Sequence, residues 1–311
     1  MSQDTFDALK APGEQQTAEE ILEPSPFAQI RKRVFGHYGI LIGGVILLVI
    51  FGMAIFAPYL TQFDPILDQD LGNKMVPPMW HDGPKVNPVH PLGTDLQGRD
   101  YLTRLVHGAQ ISLLIGFATM IISGTIGTII GVAAGYFGGR VDMVVNYIIT
   151  VRLSMPVILV ALAVVSLVGS SLWIVIWVLG LLIWDRFAVV MRSTTLQVRN
   201  LDYVAAAQAS GCSKFRIIMT EIMPNIANQL IVVATLEMAH AILLEAALSF
   251  LGLGVQPPAP SWGLMIAEGK GMMFFDPWLI GIPGAALFAL ILAINLLGDG
   301  IRDVTAPENR N

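Results

Sequence analysis

Charged residues and cysteine are both scarce in this sequence. Asp, Glu, Lys and Arg make up 13% of the 311 residues, about half the share found in soluble domains, which excludes an ordinary soluble protein. The single cysteine, Cys212, has no second thiol with which to form an internal disulfide. We therefore expect neither a disulfide scaffold nor a reactive thiol pair.

Motifs for catalysis and nucleotide binding are also missing. The stretch GLMIAEGKG (263–271) approaches a phosphate loop, but its glycine spacing is wrong and Gly271 stands where Ser or Thr should bind magnesium. No HExxH occurs, and GSSL (169–172) lies at the end of an apolar run, without a nucleophile and base at fixed places. The chain is predicted to be no enzyme, with no cofactor or metal of its own.

Long apolar runs dominate what is present: 54% of the residues are hydrophobic and the mean hydropathy is +0.67. Runs of about 20 apolar residues are long enough to cross a hydrocarbon core of roughly 30 Å, and lipid forces such runs to be helical. They lie near 38–57, 111–137, 144–168, 172–192, 227–250 and 278–298. The predicted fold class is an all-α polytopic membrane protein with about six transmembrane helices.

The basic residues predict the orientation. The first residues are polar and acidic, without the apolar region of a signal peptide, so we expect a tail followed by an uncleaved first span. Arg31, Lys32 and Arg33 precede that span and should remain in the cytoplasm. Of the 18 Lys and Arg residues, 11 fall in segments then predicted inside and five outside. Both termini are therefore predicted to be cytoplasmic.

The cytoplasmic connection at 193–225 is longer than the roughly two to eight residues usual between helices. Asp202 and Tyr203 open an alanine-rich stretch predicted to be helical, with Asp202 suited to its N-terminal end. Gly211 permits a sharp turn. A second short amphipathic helix is predicted to follow, stopped by Pro224. The connection is either an ordinary linker or a docking element whose small side chains let a partner pack closely.

Its spacing resembles the EAA loop of permease subunits of bacterial ABC importers, E-A-A-x3-G-x9-I-x-L-P. Ala205, Ala206 and Ala207 fill the triplet, Gly211 the glycine and Pro224 the final position, with alanine replacing the motif's glutamate. The resemblance implies a coupling helix that docks in a groove of a cytoplasmic ATPase subunit. The residues that would couple to the ATPase are Asp202, Tyr203, Ala205, Ala206, Ala207, Gly211 and Pro224.

Two further stretches, HPLGTDLQGRDYLTRLVHGAQISL (90–113) and AALSFLGLGVQPPAPSWGLMIAEG (246–269), resemble signatures of the dipeptide/oligopeptide/nickel permease family, C-type subunit. The resemblance implies a type I importer fold in the bacterial inner membrane. It also implies a B-type permease partner, two ATPase subunits carrying ATP and Mg, and an extracytoplasmic binding protein. Di- or oligopeptides are the expected cargo, while nickel chelates and glutathione stay open. A secondary transporter is the more distant alternative.

This interpretation sets the predicted domain boundaries. They are a disordered cytoplasmic tail at 1–30, the first transmembrane helix with its basic lead-in at 31–60, an extracytoplasmic loop at 61–110, a core permease domain at 111–305 with the coupling loop 193–225, and a tail at 306–311.

The extracytoplasmic motifs allow two interpretations. Asp95, Arg99, Asp100 and Arg104 suit an interfacial helix leading into the second span, where they either form local salt bridges and caps or contact a binding protein. Trp262 follows a proline-stiffened loop and suits the membrane interface.

Ionisable residues within the spans are costly in lipid and mark either a path or interhelical pairs. The candidates for a translocation path or gate are Arg152, Asp185, Arg186, Glu237, His240 and Glu245. Arg152, Arg186 and Glu237 are predicted to share a level near the middle of the bilayer, and static pairing between helices fits them equally well. Glycines 127, 131 and 135 form a small-xxx-small pattern, which predicts close helix packing.

Overall fold

The computed structural model describes residues 31, 33–81 and 84–305. The tails predicted at 1–30 and 306–311 lie outside the described residues, as does Lys32. The described chain is mostly helical, and loops join its helices. Its helices are α1 (Tyr38–Ile55), α2 (Ala57–Leu60), α3 (Tyr101–Phe137), α4 (Gly139–Leu153), α5 (Val157–Val168), α6 (Leu172–Leu182), α7 (Asp185–Arg199), α8 (Asp202–Ala209), α9 (Lys214–Ile217), α10 (Met223–Phe250), α11 (Trp262–Gly269) and α12 (Trp278–Thr305).

Five helical stretches of the described chain are long and apolar enough to cross a membrane. They are Tyr38–Ile55, Tyr101–Phe137, Leu172–Arg199, Lys214–Phe250 and Trp278–Thr305. The pair α4 and α5 is apolar enough to form a sixth span, but its two helices are bent by 82°. The five stretches confirm five of the six predicted spans, and the sharp bend distinguishes the remaining one.

The predicted third span, 144–168, is therefore not one continuous helix. Pro156 has no N–H to donate, and in a straight helix its ring would clash with the carbonyl of Arg152. The chain instead turns at Ser154 and Met155, whose N–H groups bond to Thr150 and Arg152 carbonyls, and α5 begins after Pro156. Proline breaks this span although the hydrophobic run continues across it.

Helix α3 packs most closely against α7, through the predicted glycine pattern. A Cβ at Gly131 would lie 2.5 Å from the Ala188 carbonyl oxygen, and one at Gly135 would lie 2.7 Å from that of Arg192. Gly127 meets the Trp184 carbonyl in the same way. Without side chains at these positions the two backbones approach each other directly. The predicted close packing is confirmed.

Helices α1 and α12 pack together on another side of the bundle. A Cβ at Gly43 would lie 2.7 Å from the Ala293 carbonyl oxygen, and His37 Nε2 lies 3.1 Å from Asp303 Oδ2 at the end of α12. Ile50 and Ile294 contribute to the core shared with α3, α10 and α11. This core holds α1 on the bundle.

The loop before α3 is anchored by buried ion pairs. Asp100 caps α3, accepting the Thr103 N–H at 2.7 Å. Asp95 lies 2.7 Å from both Arg99 and Arg104, and Arg104 also lies 2.6 Å from Glu268 of α11. The interpretation of these residues as salt bridges and caps is confirmed, and contact with a binding protein stays a prediction.

Trp262 packs between helices, and its predicted place at the membrane interface stays a prediction. It is fully buried where α11 crosses α3, and its indole Nε1 donates to the Leu105 carbonyl at 2.8 Å. Gly108 makes room for the ring, because a Cβ there would lie 2.9 Å from it. The aromatic ring fills a helix crossing that cannot be read from the local sequence.

Candidate functional site: the coupling segment and the polar cavity

The coupling segment, residues 193–225, folds as two short helices between α7 and α10. Helix α8 begins at Asp202, where the carboxylate complements the positive end of the helix dipole. Helix α9 begins after Ser213, whose hydroxyl accepts the Arg216 N–H at 3.3 Å. Arg192, in the middle of α7, pairs with Asp142 of α4. The predicted helix–turn–helix arrangement is present.

Gly211 ends α8 in a tight reversal. Its φ is +78°, a conformation that glycine adopts without strain. The Gly211 N–H donates to the Gln208 carbonyl at 3.0 Å and the Cys212 N–H to the Ala207 carbonyl at 3.1 Å, the two bonds of a Schellman motif. The predicted turn is confirmed, and its reason is the backbone conformation, because a Cβ at Gly211 would meet nothing within 4 Å.

Val204 attaches α8 to the rest of the chain. It is fully buried in a cluster with Tyr136, Met191, Ile217 and Ile226. Helix α8 therefore has an inner face, held by α3, α7 and α10, and an outer face. Rigid attachment of this kind lets a force applied to the outer face move the membrane helices.

The predicted coupling residues divide between these two faces. Asp202, Tyr203, Ala205 and Ala206 are exposed on the outer face. Ala207 is half-buried and packs against the Val204 cluster, so only part of its side chain is open to a partner, and its predicted coupling role stays a prediction. A helix of eight residues must turn part of its surface inward to be held, and sequence alone did not show which part.

Pro224 does not stop the second helix, so the prediction that this helix ends there is wrong. Residues 218–222 form one wide π-helical turn, in which the Met223 N–H donates to the Ile218 carbonyl. The wider turn accommodates the proline ring that would clash within a regular α-helix. The chain stays helical from Lys214 to Phe250, so α9 is joined rigidly to the membrane helix.

Exposed apolar side chains near the Gly211 turn were missed by the sequence argument. Phe215 is 71% exposed, and Leu201 and Met219 are also exposed. Together with Tyr203 they add an apolar contact surface on both sides of the turn. Their amphipathic spacing was visible in the sequence, but which side of the helix would be covered was not.

The structure brings five of the six intramembrane candidates to one cavity of about 130 Å³, which we call the polar cavity. Its ionisable lining residues are Arg152, Asp185, Arg186, Glu237 and His240. Two helix breaks border it, the α4–α5 bend at 154–156 and the α6–α7 break at 183–184. Irregular backbone at membrane depth is tolerated where it lines such a cavity. Hydropathy could not have revealed that both breaks meet here.

Glu237 is the central acceptor of the polar cavity. Its carboxylate lies 3.1 Å from Arg186 Nη1 and 3.2 Å from His240 Nδ1. Arg152 instead donates to two backbone carbonyls, those of Met155 and Leu182. The interpretation as static interhelical pairing therefore fits Arg186 with Glu237, whereas Arg152 uses carbonyls freed by the helix breaks.

Glu245 does not belong to this cavity. It lies eight residues beyond Glu237 on α10, about 12 Å further along the helix. It is fully buried, and one oxygen accepts the hydroxyls of Ser249 at 2.7 Å and Ser261 at 3.0 Å. Glu245 thus ties α10 to the start of α11. It lies apart from Glu237 and His240. The sequence did not reveal this, because spacing along one helix does not show what packs against each turn, and the predicted role of Glu245 in a path or gate stays a prediction.

No group of three or more His, Cys, Asp or Glu side chains in the described part of the chain is arranged to hold a metal ion.

Comparison with known proteins decides the family. Residues 127–311 match the model of the family described as binding-protein-dependent transport system inner membrane component. The chain belongs to this family. Residues 25–78 of the permease also match the N-terminal transmembrane domain of oligopeptide transport permease C. It is a multi-pass protein of the bacterial inner membrane and a permease subunit of an ABC importer.

Curated relatives span almost the whole permease. The dipeptide transport system permease protein DppC of Haemophilus influenzae is 36% identical over 270 residues, covering 87% of this chain and 90% of the relative. The di/tripeptide permease DppC of Pseudomonas aeruginosa is 35% identical, covering 94% and 95%. The glutathione permease GsiD of Pectobacterium atrosepticum is 33% identical, covering 91% and 92%.

The fold is also that of a solved ABC transporter chain. A chain of the methionine transporter MetNI in an inward-facing conformation superposes with a TM-score of 0.56 at 18% identity, covering 65% of the permease and 97% of that chain. This likeness confirms the predicted type I importer permease fold.

Proposed function

We propose that the permease imports di- and oligopeptides as the C-type half of a heterodimeric path. Its B-type partner supplies the other half, two ATPase subunits supply hydrolysis, and an extracytoplasmic binding protein delivers the cargo. The observation that carries the proposal is the coupling segment, rigidly joined to α7 and α10 with an exposed small-residue face. The peptide permeases among the relatives support the choice of cargo. The chain itself is non-catalytic and carries no cofactor, while ATP and Mg bind to the partners.

The proposed mechanism follows from how the coupling segment is attached. Closure of the ATPase dimer would push on α8, and the Val204 cluster would pass this motion to α3, α7 and α10. The polar cavity lies on α7 and α10 as well, so the same motion alters its opening. The cavity is proposed to line the path, with both termini and the coupling segment in the cytoplasm.

Uptake by the reconstituted complex tests the cargo. Proteoliposomes containing both permeases and the ATPases, with the binding protein outside, should accumulate labelled dialanine in the presence of internal ATP and Mg. Glutathione is the second candidate, because one relative is a glutathione permease. Accumulation of glutathione without dialanine would refute the peptide assignment and keep the importer.

Thiol labelling tests the orientation. Cysteines placed at exposed Lys74 and exposed Ser210 in a Cys212→Ser background should react with an impermeant reagent from opposite sides of the membrane. The Lys74 site should react in intact cells and the Ser210 site only after permeabilisation. The reverse pattern would place the coupling segment outside and refute its ATPase role.

A further inference from the structure

Asp185 is buried in the polar cavity without a partner. It is 7% exposed, and its carboxylate forms no hydrogen bond or ion pair with the described residues. As the first residue of α7 it lies where the helix dipole stabilises a negative charge. The dipole explains how a carboxylate is tolerated there, but supplies no cation.

The basic groups of the cavity are engaged elsewhere. Arg186 and His240 both contact Glu237, and Arg152 donates to backbone carbonyls, which carry no net charge. Within the described residues, one anion and one cation of the same cavity, Asp185 and Arg152, thus lack a salt-bridge partner. Asp185 is a buried charge without a counter-charge, which is costly, and half-buried Arg152 has an unpaired Nε, so both are suited to a ligand that brings charges of each sign.

We propose that the polar cavity binds the two charged ends of a short peptide, its ammonium at Asp185 and its carboxylate at Arg152. A carboxylate accepts up to three N–H bonds from an ammonium, and a guanidinium suits a carboxylate. The cavity is smaller than the roughly 300–1,000 Å³ of a complete ligand pocket. It forms one wall of a subsite, and the facing subunit completes it. This inference rests on the proposed function.

The test uses the complete complex in proteoliposomes with labelled dialanine. The variants are Asp185→Asn, Arg152→Gln and the double variant. Each single change removes one charge-assisted contact and should lower kcat/KM for uptake at least about tenfold, and the double variant should be no better than either. Asp185→Glu keeps the charge and should retain most of the uptake. The melting temperature of the Asp185→Asn complex should stay unchanged, because no partner is stranded.

Modified peptides assign each end. N-acetyl-dialanine has no ammonium. For this substrate, uptake by the wild-type complex divided by uptake by the Asp185→Asn complex should therefore fall to about one. Dialanine methyl ester has no carboxylate, so the corresponding ratio for Arg152→Gln should fall to about one. Preferences of the binding protein cancel in these ratios, because every variant uses the same protein.

Glu237→Gln is the matched control, because it removes the buried charged acceptor that Arg186 and His240 share and should lower the melting temperature. A similar drop for Asp185→Asn would show that Asp185 is structural and overturn the inference. Recovery of wild-type dialanine uptake in the double variant would show that Asp185 and Arg152 neutralise each other, and would also overturn the inference. Wild-type dialanine uptake in either single variant would overturn it as well. Failure of the unmodified complex to import dialanine would instead refute the proposed function, and this inference with it.

Discussion

Replacing Gly211 with valine tests the coupling segment at the one position where its backbone conformation requires glycine. The φ of +78° costs a residue with a Cβ roughly 1–2 kcal/mol, and β-branching places valine at the upper end of that range. Steric overlap adds nothing, because the space around the position is open. A penalty of about 2 kcal/mol corresponds to a roughly 30-fold smaller population of the native turn.

Loss of this turn should shift α8, and with it the exposed outer face, away from the native position. The two Schellman bonds at Gln208 and Ala207 would break, while Tyr136, Met191 and Ile226 of the Val204 cluster lie on the long helices outside the turn and keep these helices together. The ATPase should therefore co-purify at a reduced level with the Gly211→Val permease. Binding-protein-stimulated hydrolysis should fall with it, and pairing with the B-type subunit should persist.

Gly211→Asn is the matched control. Asparagine adopts positive φ more readily than other residues with a Cβ, so this variant should keep most of the attachment, with Gly211→Ala between the two. A graded order of Gly, Asn, Ala and Val would identify backbone conformation as the cause. Full attachment and stimulation in the valine variant would refute the reasoning, because the turn would then carry no coupling function.

The remaining predictions concern faces and pairs that the structure defines. Ala206→Glu, on the outer face of α8, should weaken ATPase co-purification without changing the melting temperature, whereas Ala207→Glu should lower that temperature as well; equal melting temperatures would place both residues outside. Gly131→Val should separate α3 from α7, because its Cβ would overlap the facing backbone. The overpacking should lower the free energy of unfolding by about 1–3 kcal/mol or more. An unchanged thermal midpoint would contradict the close packing. Glu268→Gln should destabilise the complex, because it leaves buried Arg99 and Arg104 with Asp95 as their one carboxylate partner among the described residues and thus with one uncompensated positive charge. An uncompensated buried charge costs up to about 3–5 kcal/mol. Thermal unfolding measures this, and no change would show that Asp95 alone suffices.

The sequence by itself determined the membrane class, the positions of five spans and the small-residue contact on α3. Each of these follows from properties that act locally along the chain: apolar length against bilayer thickness, and the absence of side chains at a repeated position. The turn at Gly211 belongs to the same class, because only glycine adopts that backbone conformation without cost. The importer resemblance rested on such local signals as well.

Which helix faces are buried, and which residues they contact, was decided by the tertiary structure alone. Ala206 and Ala207 are adjacent and chemically identical, yet one is exposed and the other packs on the Val204 cluster. Trp262 fills a helix crossing, and Glu245 turns to α11 while Glu237 turns to the polar cavity. The bend at Pro156 and the break before α7 meet at that cavity although about 30 residues separate them. Burial and charge pairing depend on which helices become neighbours, and contacts between distant segments set that choice.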